Sequence, residues 1–333
     1  MKKFLIFRTD RIGDFILSSI VIKSIKRNEP SSYITIICSE KNYSYVKKLS
    51  FVDHAVEYPS SIVKKIIFFY KILTEKNDSA ICLDGKKRSI FACGFSRANF
   101  KIISVTKKIY KNIFFKIKKN VISTSDFNSK IDEFKTILNR MNYNFSNEDL
   151  NIFDNESIIA SNDYLRNISL KTYNLLHLDE KWITEEYQSK KGSRNFKSIN
   201  PTIEDLYEFL KKIVIKTNND LLISSGFKNN KLIEGLKTKF KLKNSIDYNN
   251  KKITILENLS FFDLKFVIKK ANLIITCHGS PSHVASAFNT KIIDIFDEGT
   301  KDFYHYYTKH LRNYQYVFRD DFKVISNKIL QIV

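Results

Sequence analysis

The strongest constraint on this chain is the stretch ANLIITCHGSPSHVASAFN at residues 271–289, followed directly by KIIDIF at 291–296. Residues 273–276 are a short apolar run of buried-strand type, broken by Cys277, His278 and Gly279. Ser280 stands where an N-cap is expected, and Pro281 where a helix first tolerates a missing N–H. Small residues at 282 and 285–287 keep the helix slim, and Asn289 closes it before the next strand. Strand, helix and strand in that order make a β-α-β unit, which requires a parallel sheet. The helix begins at the carboxyl end of a strand. Unpaired N–H groups and the positive end of the helix dipole converge there, the usual cradle for a phosphate.

The same alternation runs through the chain, so the fold class is α/β with parallel sheets. The first half predicts strands at 4–7, 33–38, 55–58 and 80–83, with helices at 14–28, 41–49, 61–73 and 129–141. Between the first strand and helix lies RTDRIGD, residues 8–14, a loop with two arginines and two aspartates at the sheet edge where open α/β folds bind ligands. The Asn-rich stretch 142–167 contains the expected domain connection. The second half predicts strands at 173–178, 221–224 and 253–256, and helices at 202–215 and 230–240. A capping box from Ser260 to Asp263 then opens the helix before residue 271. After residue 300 an aromatic segment leads to a terminal helix at 321–332. The expected division is 1–150, a connection at 151–170, a second domain at 171–320, and the terminal helix at 321–333.

A chain of 333 residues with 43% hydrophobic residues can bury two cores of ordinary size. Its 56 Lys and Arg against 35 Asp and Glu leave +21, which favours an anionic partner: nucleic acid, phosphorylated metabolite or anionic membrane. A genome of biased base composition accounts for the same skew, since Gly (8) and Pro (4) are scarce. Residues 85–125 carry eleven Lys or Arg and no acid. Within them 107–119, and more weakly 64–73, interleave lysines with Ile, Phe and Tyr, as a peripheral membrane patch would. Four cysteines without C-x-x-C spacing read as reduced thiols of a cytoplasmic protein, and the N-terminus reads as a strand rather than a signal peptide. No apolar run reaches the length of a membrane span. A G-x-G-x-x-G after a strand and a G-x-S-x-G elbow are both missing, which weighs against a nicotinamide dehydrogenase and a serine hydrolase.

The N-terminal stretch FLIFRTDRIGDFILSSIVIKSIKR, continuing through YITIICSEKNYSYVKKLSFVDHAVEY, and the C-terminal stretch LSFFDLKFVIKKANLIITCHGSPSHVASAFNTKIIDIF resemble glycosyltransferase family 9, the ADP-heptose:lipopolysaccharide heptosyltransferases. The resemblance implies a GT-B architecture: two Rossmann-like domains facing across a cleft, acceptor on the first and nucleotide-sugar on the second. The last helix of that fold commonly packs back on the N-terminal domain. It implies an inverting transfer to a lipopolysaccharide-core or other cell-envelope glycan at the cytoplasmic face of the membrane, with no cofactor beyond an ADP-sugar co-substrate.

Carried over by position, Asp14 becomes the general base, a role that inverting transfer needs a carboxylate to fill. On chemistry alone Asp14 is equally well an N-cap, and Asp10 is the fallback base. Arg8, Thr9, Arg11 and Gly13 are candidate acceptor or phosphate contacts, the arginines being equally suited to pairing with the aspartates. No D-x-D occurs, so metal-independent stabilisation of the leaving diphosphate is expected. His278, Gly279, Ser280, Pro281, Ser282 and His283, with Lys181 of DEKW, form the candidate donor site. Two histidines without a third ligand do not make a zinc site. The family's Asp-Thr-Gly here becomes His278-Gly279-Ser280, which opens the possibility of a changed donor or of a relative that binds nucleotide-sugar without turning it over. The remaining alternative is nucleic-acid binding through the 85–125 tract, supported by charge alone.

Overall fold

The computed structural model describes residues 1–106, 120–153, 163–168, 172–183, 197–226 and 230–333. The candidate membrane segment 107–119 lies outside them. Two compact units divide the chain: residues Met1–Ile152 with Tyr306–His310, and residues Phe153–His305 with Leu311–Val333.

The first unit holds a parallel sheet in the order β3-β2-β1-β4-β5-β6, formed by β1 (Lys3–Arg8), β2 (Tyr33–Cys38), β3 (His54–Glu57), β4 (Asn77–Cys82), β5 (Ala98–Val105) and β6 (Val121–Ser123). The helices are α1 (Ile12–Asn28), α2 (Glu40–Val46), α3 (Ile62–Thr74), α4 (Lys87–Phe95) and α5 (Lys130–Arg140). Apolar runs such as FLIF in β1 and SAIC in β4 are buried on both faces, as parallel strands covered by helices must be. The basic tract does not stand apart as a nucleic-acid surface. Its described parts fold into α4, β5 and β6, and Ile90, Cys93, Ile102, Ile103 and Val105 are buried in the core. These elements escape a pattern reading because lysines interrupt them; Lys101 reconciles charge with a strand by reaching Gly94 O at 2.9 Å.

Helix α5 starts at a serine cap, with Ser129 Oγ accepting from Asp132 N. Its first turn buries an ion pair, Lys130 Nζ to Glu133 Oε1 at 2.7 Å. Ser104 Oγ donates to the same Glu133 oxygen at 2.6 Å, and the hydroxyl of Tyr306 donates to the other. A buried pair persists only when its remaining valences are met, as these are.

The second unit carries the order β13-β12-β11-β7-β8-β10-β9, from β7 (Tyr173–His177), β8 (Asp220–Ser224), β9 (Ser245–Tyr248), β10 (Lys251–Leu256), β11 (Leu273–Cys277), β12 (Lys291–Phe296) and β13 (Tyr314–Phe318). All pairings are parallel except β9 with β10, an edge hairpin turned by Asn249 and Asn250, both at positive φ (52° and 58°). Helices are α6 (Asp163–Ile168), α7 (Ile203–Thr217), α8 (Lys231–Lys239), α9 (Phe261–Lys270), α10 (Ser280–Ala287), α11 (Lys301–Thr308) and α12 (Phe322–Ile332). Thr202, Asn230 and Ser260 cap α7, α8 and α9 with their side chains. Both units are thus Rossmann-like α/β layers.

The terminal helix α12 contributes to the core of the second unit. Phe322, Ile325 and Ile329 are buried in the second unit's own core, and Phe322 stands edge-on to Trp182 and Phe209. The apolar stripe of an amphipathic helix goes to whatever groove its chain end can reach, and here β13 delivers it beside α7. Trp182 is the protein's single tryptophan, so fluorescence reports on this packing. Replacing Ile325 by Ala is expected to destabilise the tryptophan-detected unfolding transition by about 2–5 kcal/mol, read by urea titration; an unchanged midpoint would place α12 outside that core.

Candidate functional site

The second sheet reverses its winding at β7, with β8 and β10 on one side and β11 and β12 on the other. The carboxyl ends of β7 and β11 therefore border the crevice where an open α/β sheet takes its ligand. Just past β7, Asp179 caps a single turn at Glu180–Trp182, while the buried indole of Trp182 donates to His177 O at 2.9 Å. That turn aims Lys181 back at β11, where its Nζ donates to His278 O at 2.8 Å and Cys277 O at 3.2 Å and pairs with Asp179 at 2.5 Å. Burial alone would lower the Lys181 ammonium, but Asp179 and its neighbours raise it above the ordinary lysine value, so it is a cation at neutral pH. A Cβ on Gly279 would stand 2.8 Å from that nitrogen. Glycine is needed there for close approach, since its backbone is simply extended (φ 177°).

Gly279, not Ser280, caps α10, and Pro281 falls at the second helical position rather than the first. The shift follows from the crowding by Lys181: the residue without a side chain takes the cap. Asp294, fully buried in β12, accepts from His278 Nδ1 at 2.5 Å, from Ser282 Oγ at 2.9 Å and from Tyr314 OH at 3.1 Å. With Nδ1 held by a carboxylate, Nε2 of His278 is the nitrogen presented to a ligand. The His278 ring also meets His283 edge-on at 5.3 Å and Tyr304 at 4.6 Å. Of the predicted donor set, Gly279 and Ser280 are half-exposed, and His278 joins Lys181 in lining a small recess with Tyr304 and Arg319. Pro281, Ser282 and His283 are buried. Ser282 Oγ is engaged by Asp294. Asp294 is the residue that pattern reading missed. A lone carboxylate inside the apolar run KIIDIF was the signal, because a buried charge requires partners.

The first sheet has its switch between β1 and β4. Of the two roles open to Arg8, at the end of β1, the structure shows pairing with the aspartates. Arg8 is buried, donating to Leu83 O at 2.5 Å and to Asp14 O at 2.9 and 3.1 Å, with Nε 3.2 Å from Asp10 Oδ1. The neighbouring Thr9 is likewise internal. Its N–H and hydroxyl both donate to Asp84 Oδ2 at 2.8 Å, while Lys86 and Arg88 donate to its carbonyl. Strand-end carbonyls at a switch point have no ladder partner, and cations satisfy them: buried Arg8 meets Leu83 O, and the exposed Lys86 and Arg88 meet Thr9 O. Arg11 is exposed and Gly13 half-exposed. Helix α1 begins at Ile12 with Arg11 as cap, so Asp14 is the third helical residue and not the N-cap. Its side chain is 44% exposed, against 15% for Asp10.

Beside this loop opens a cavity of about 610 Å³ lined by Asp10, Arg11, Lys41, Lys65, Lys86 and Arg88 among others. Arg88 lies over the Tyr58 ring at 4.8 Å, which holds one of these cations in place. Asp84, the hub of the β4 end, also accepts from Ser89 Oγ at 2.7 Å. Its position directly after an apolar strand in CLDG was the sequence signal for it.

Burial pushes the Asp10 carboxyl up to about 6; Arg8 opposes this, and Asp14 and Asp84 add to it. The folded value exceeds the unfolded one, so the folded protein holds a proton that the unfolded chain has released. Stability from this group is greatest below the unfolded value and is lost as pH rises through about 6. The Asp10→Asn variant is therefore expected to gain in thermal midpoint relative to the wild type as pH rises from about 4 to about 8, on top of a pH-independent loss from its pairing with Arg8. A difference that does not change with pH would contradict it.

No family model matches the chain. It is 27% identical over 319 residues to lipopolysaccharide heptosyltransferase 1 of Campylobacter coli, covering 88% of this chain and 83% of that protein. Its structure superposes on the E. coli heptosyltransferase WaaC solved with ADP, with a TM-score of 0.64 at 10% identity over 99% of this chain and 100% of the other. It also superposes on a glycosyl transferase of family 9 from Veillonella parvula, with a TM-score of 0.63 at 12% identity, covering 99% and 91%. At such low identity the two superpositions speak for the fold, which is GT-B. Together with the relative and the N- and C-terminal motifs, they make the chain a glycosyltransferase similar to the heptosyltransferases of family 9.

Proposed function

We propose that this glycosyltransferase moves a heptose or related sugar from a nucleoside-diphosphate donor, ADP-sugar favoured, to a lipopolysaccharide-core or other cell-envelope glycan at the cytoplasmic face of the membrane. Transfer is inverting and independent of metal, with Asp14 as general base. The observation that carries the reading is the division of charge between two switch points. The half-exposed carboxylate of Asp14 stands at one, following a loop whose Asp10 and Arg11 line a cavity with more cations than acids, and a cation, an oriented imidazole and a helix start stand at the other. The names of the C. coli relative and of the ADP-bound neighbour support the choice of sugar and nucleotide.

The chemistry follows from these groups. Asp14 takes the proton of the acceptor hydroxyl as its oxygen attacks the anomeric carbon. The bond from that carbon to the diphosphate breaks on the opposite face, and its electron pair leaves with the nucleoside diphosphate. One displacement inverts the centre. The departing charge meets the Lys181 ammonium and the N–H groups at the start of α10. An aspartate at 278 would repel this anion, whereas an imidazole held by Asp294 adds no carboxylate facing it. Asp14 is preferred to Asp10 as base because Asp10 is mostly buried against Arg8.

Asp14→Asn is expected to lower transfer by a factor of about 10² to 10⁴ while leaving the thermal shift produced by an ADP-sugar intact. Wild-type activity in this variant would remove Asp14 as base. A panel of ADP-, GDP- and UDP-sugars in the same assay identifies the donor, the ADP-sugar being expected to give the largest shift.

A further inference from the structure

Helix α3 is built the wrong way round for a surface helix of a protein surrounded by water. Its packing against the first unit uses Phe68 and Ile72, both buried. Ile62, Val63, Ile66, Ile67, Tyr70 and Leu73 are all more than half exposed, Ile62 at 75% and Tyr70 at 68%. At 3.6 residues per turn these six positions fall within an arc of about 140°, centred opposite Phe68 and Ile72. The apolar stripe therefore faces outward. A contiguous exposed patch of this kind marks an interaction surface.

Charge identifies the occupant. Residues 62–74 contain three lysines and no acid; Lys64 and Lys71 are exposed on the flank of the stripe. Aliphatic and aromatic residues rimmed by lysines suit the boundary between anionic headgroups and acyl chains. The nearest acids in sequence, Glu57 and Glu75, lie outside the helix.

Continuity with the candidate acceptor site points the same way. Ile67, Phe68, Lys64 and Lys71 line a groove of about 310 Å³. This groove shares Glu57, Pro59 and Ser60 with the polar cavity of about 610 Å³ beside Asp10 and Arg11. One end of the path is apolar and the other basic, which matches a molecule with acyl chains and an anionic polar head.

We propose that α3 is a membrane-docking face. It lies on an anionic bilayer with its apolar stripe at the acyl boundary and Lys64 and Lys71 on lipid phosphates, so that the adjoining cavity opens towards glycolipids of the same leaflet. What the cavity receives rests on the function proposed above; docking itself stands apart from it.

The test uses the full chain and sucrose-loaded vesicles of phosphatidylethanolamine with phosphatidylglycerol, against phosphatidylcholine vesicles, over a salt series. The protein is expected to sediment with the anionic vesicles and to be released by salt. Replacing Lys64 and Lys71 by Gln is expected to weaken partitioning roughly fivefold for each lysine. Ile66→Asn combined with Tyr70→Ser is expected to weaken it by about tenfold or more. Both variants should melt with the wild type, since the altered side chains are exposed, and the Ile66 and Tyr70 variant should still turn over a water-soluble acceptor. Wild-type protein that ignores anionic vesicles, or variants that bind them as before, would overturn the proposal. So would self-association that disappears in the Ile66 and Tyr70 variant, which would assign the face to a second copy. Vesicle binding without any sugar transfer would leave docking standing and sink the transferase reading, and transfer without binding the reverse.

Discussion

Each unit depends on one buried cation that ties together two strand ends at the point where its sheet reverses direction. In the first, the Arg8 guanidinium runs from the end of β1 to Leu83 O beyond β4 and to Asp14 O in α1. In the second, the Lys181 ammonium runs from the turn after β7 to Cys277 O and His278 O at the end of β11. The two solve the same problem. Carbonyls at the carboxyl edge of a parallel sheet lose their ladder partners just where the strands diverge, and leaving them unmet in a buried setting costs about 1–3 kcal/mol each. Burying a cation to meet them would cost more still unless a carboxylate accompanied it. Asp10 and Asp14 serve Arg8, and Asp179 serves Lys181.

These struts determine what is left for a substrate. Because Arg8 holds the main chain of residue 14, the Asp14 carboxylate stays fixed at the start of α1 and 44% exposed. Because Lys181 lies under Gly279, the start of α10 stays close to a permanent positive charge. The second layer in each unit works on orientation: Asp84 on Thr9, and Asp294 on His278 and Ser282. An exposed carboxylate and a helix start beside a fixed cation are the two parts that the proposed inverting transfer uses, and rigid elements carry both.

Much of this was legible before any coordinates. Buried parallel strands announce themselves as uninterrupted apolar runs, so β1, β2, β8 and β11 were readable. So were caps such as Thr202 and Ser260, whose Ser/Thr-x-x-Asp spacing has a local cause. The elements that were missed carry charge or aromatic hydroxyls inside the run: β5 with Lys101, and β13 in YQYVF, whose Tyr314 reaches Asp294. For the site, sequence located the loop 8–14 and the stretch 278–283 but not which side chains turn inward. Arg8, Thr9 and Ser282 are polar residues of apparently functional type that the fold consumes, and only the three-dimensional demand of Leu83 O, Asp84 and Asp294 explains why. The outward apolar stripe of α3 was visible only as a mixture of lysines and aliphatics, since periodicity shows that a helix has a face but not which way it points.

The central claim is a single displacement at the anomeric carbon, with the diphosphate's charge taken up by Lys181 and the start of α10. The most direct measurement is the anomeric configuration of the product by NMR, from an ADP-heptose reaction run with and without a chelator. The account predicts a linkage inverted relative to the donor and a rate that the chelator leaves unchanged. Retention of configuration, or transfer that stops when divalent cations are removed, would contradict it.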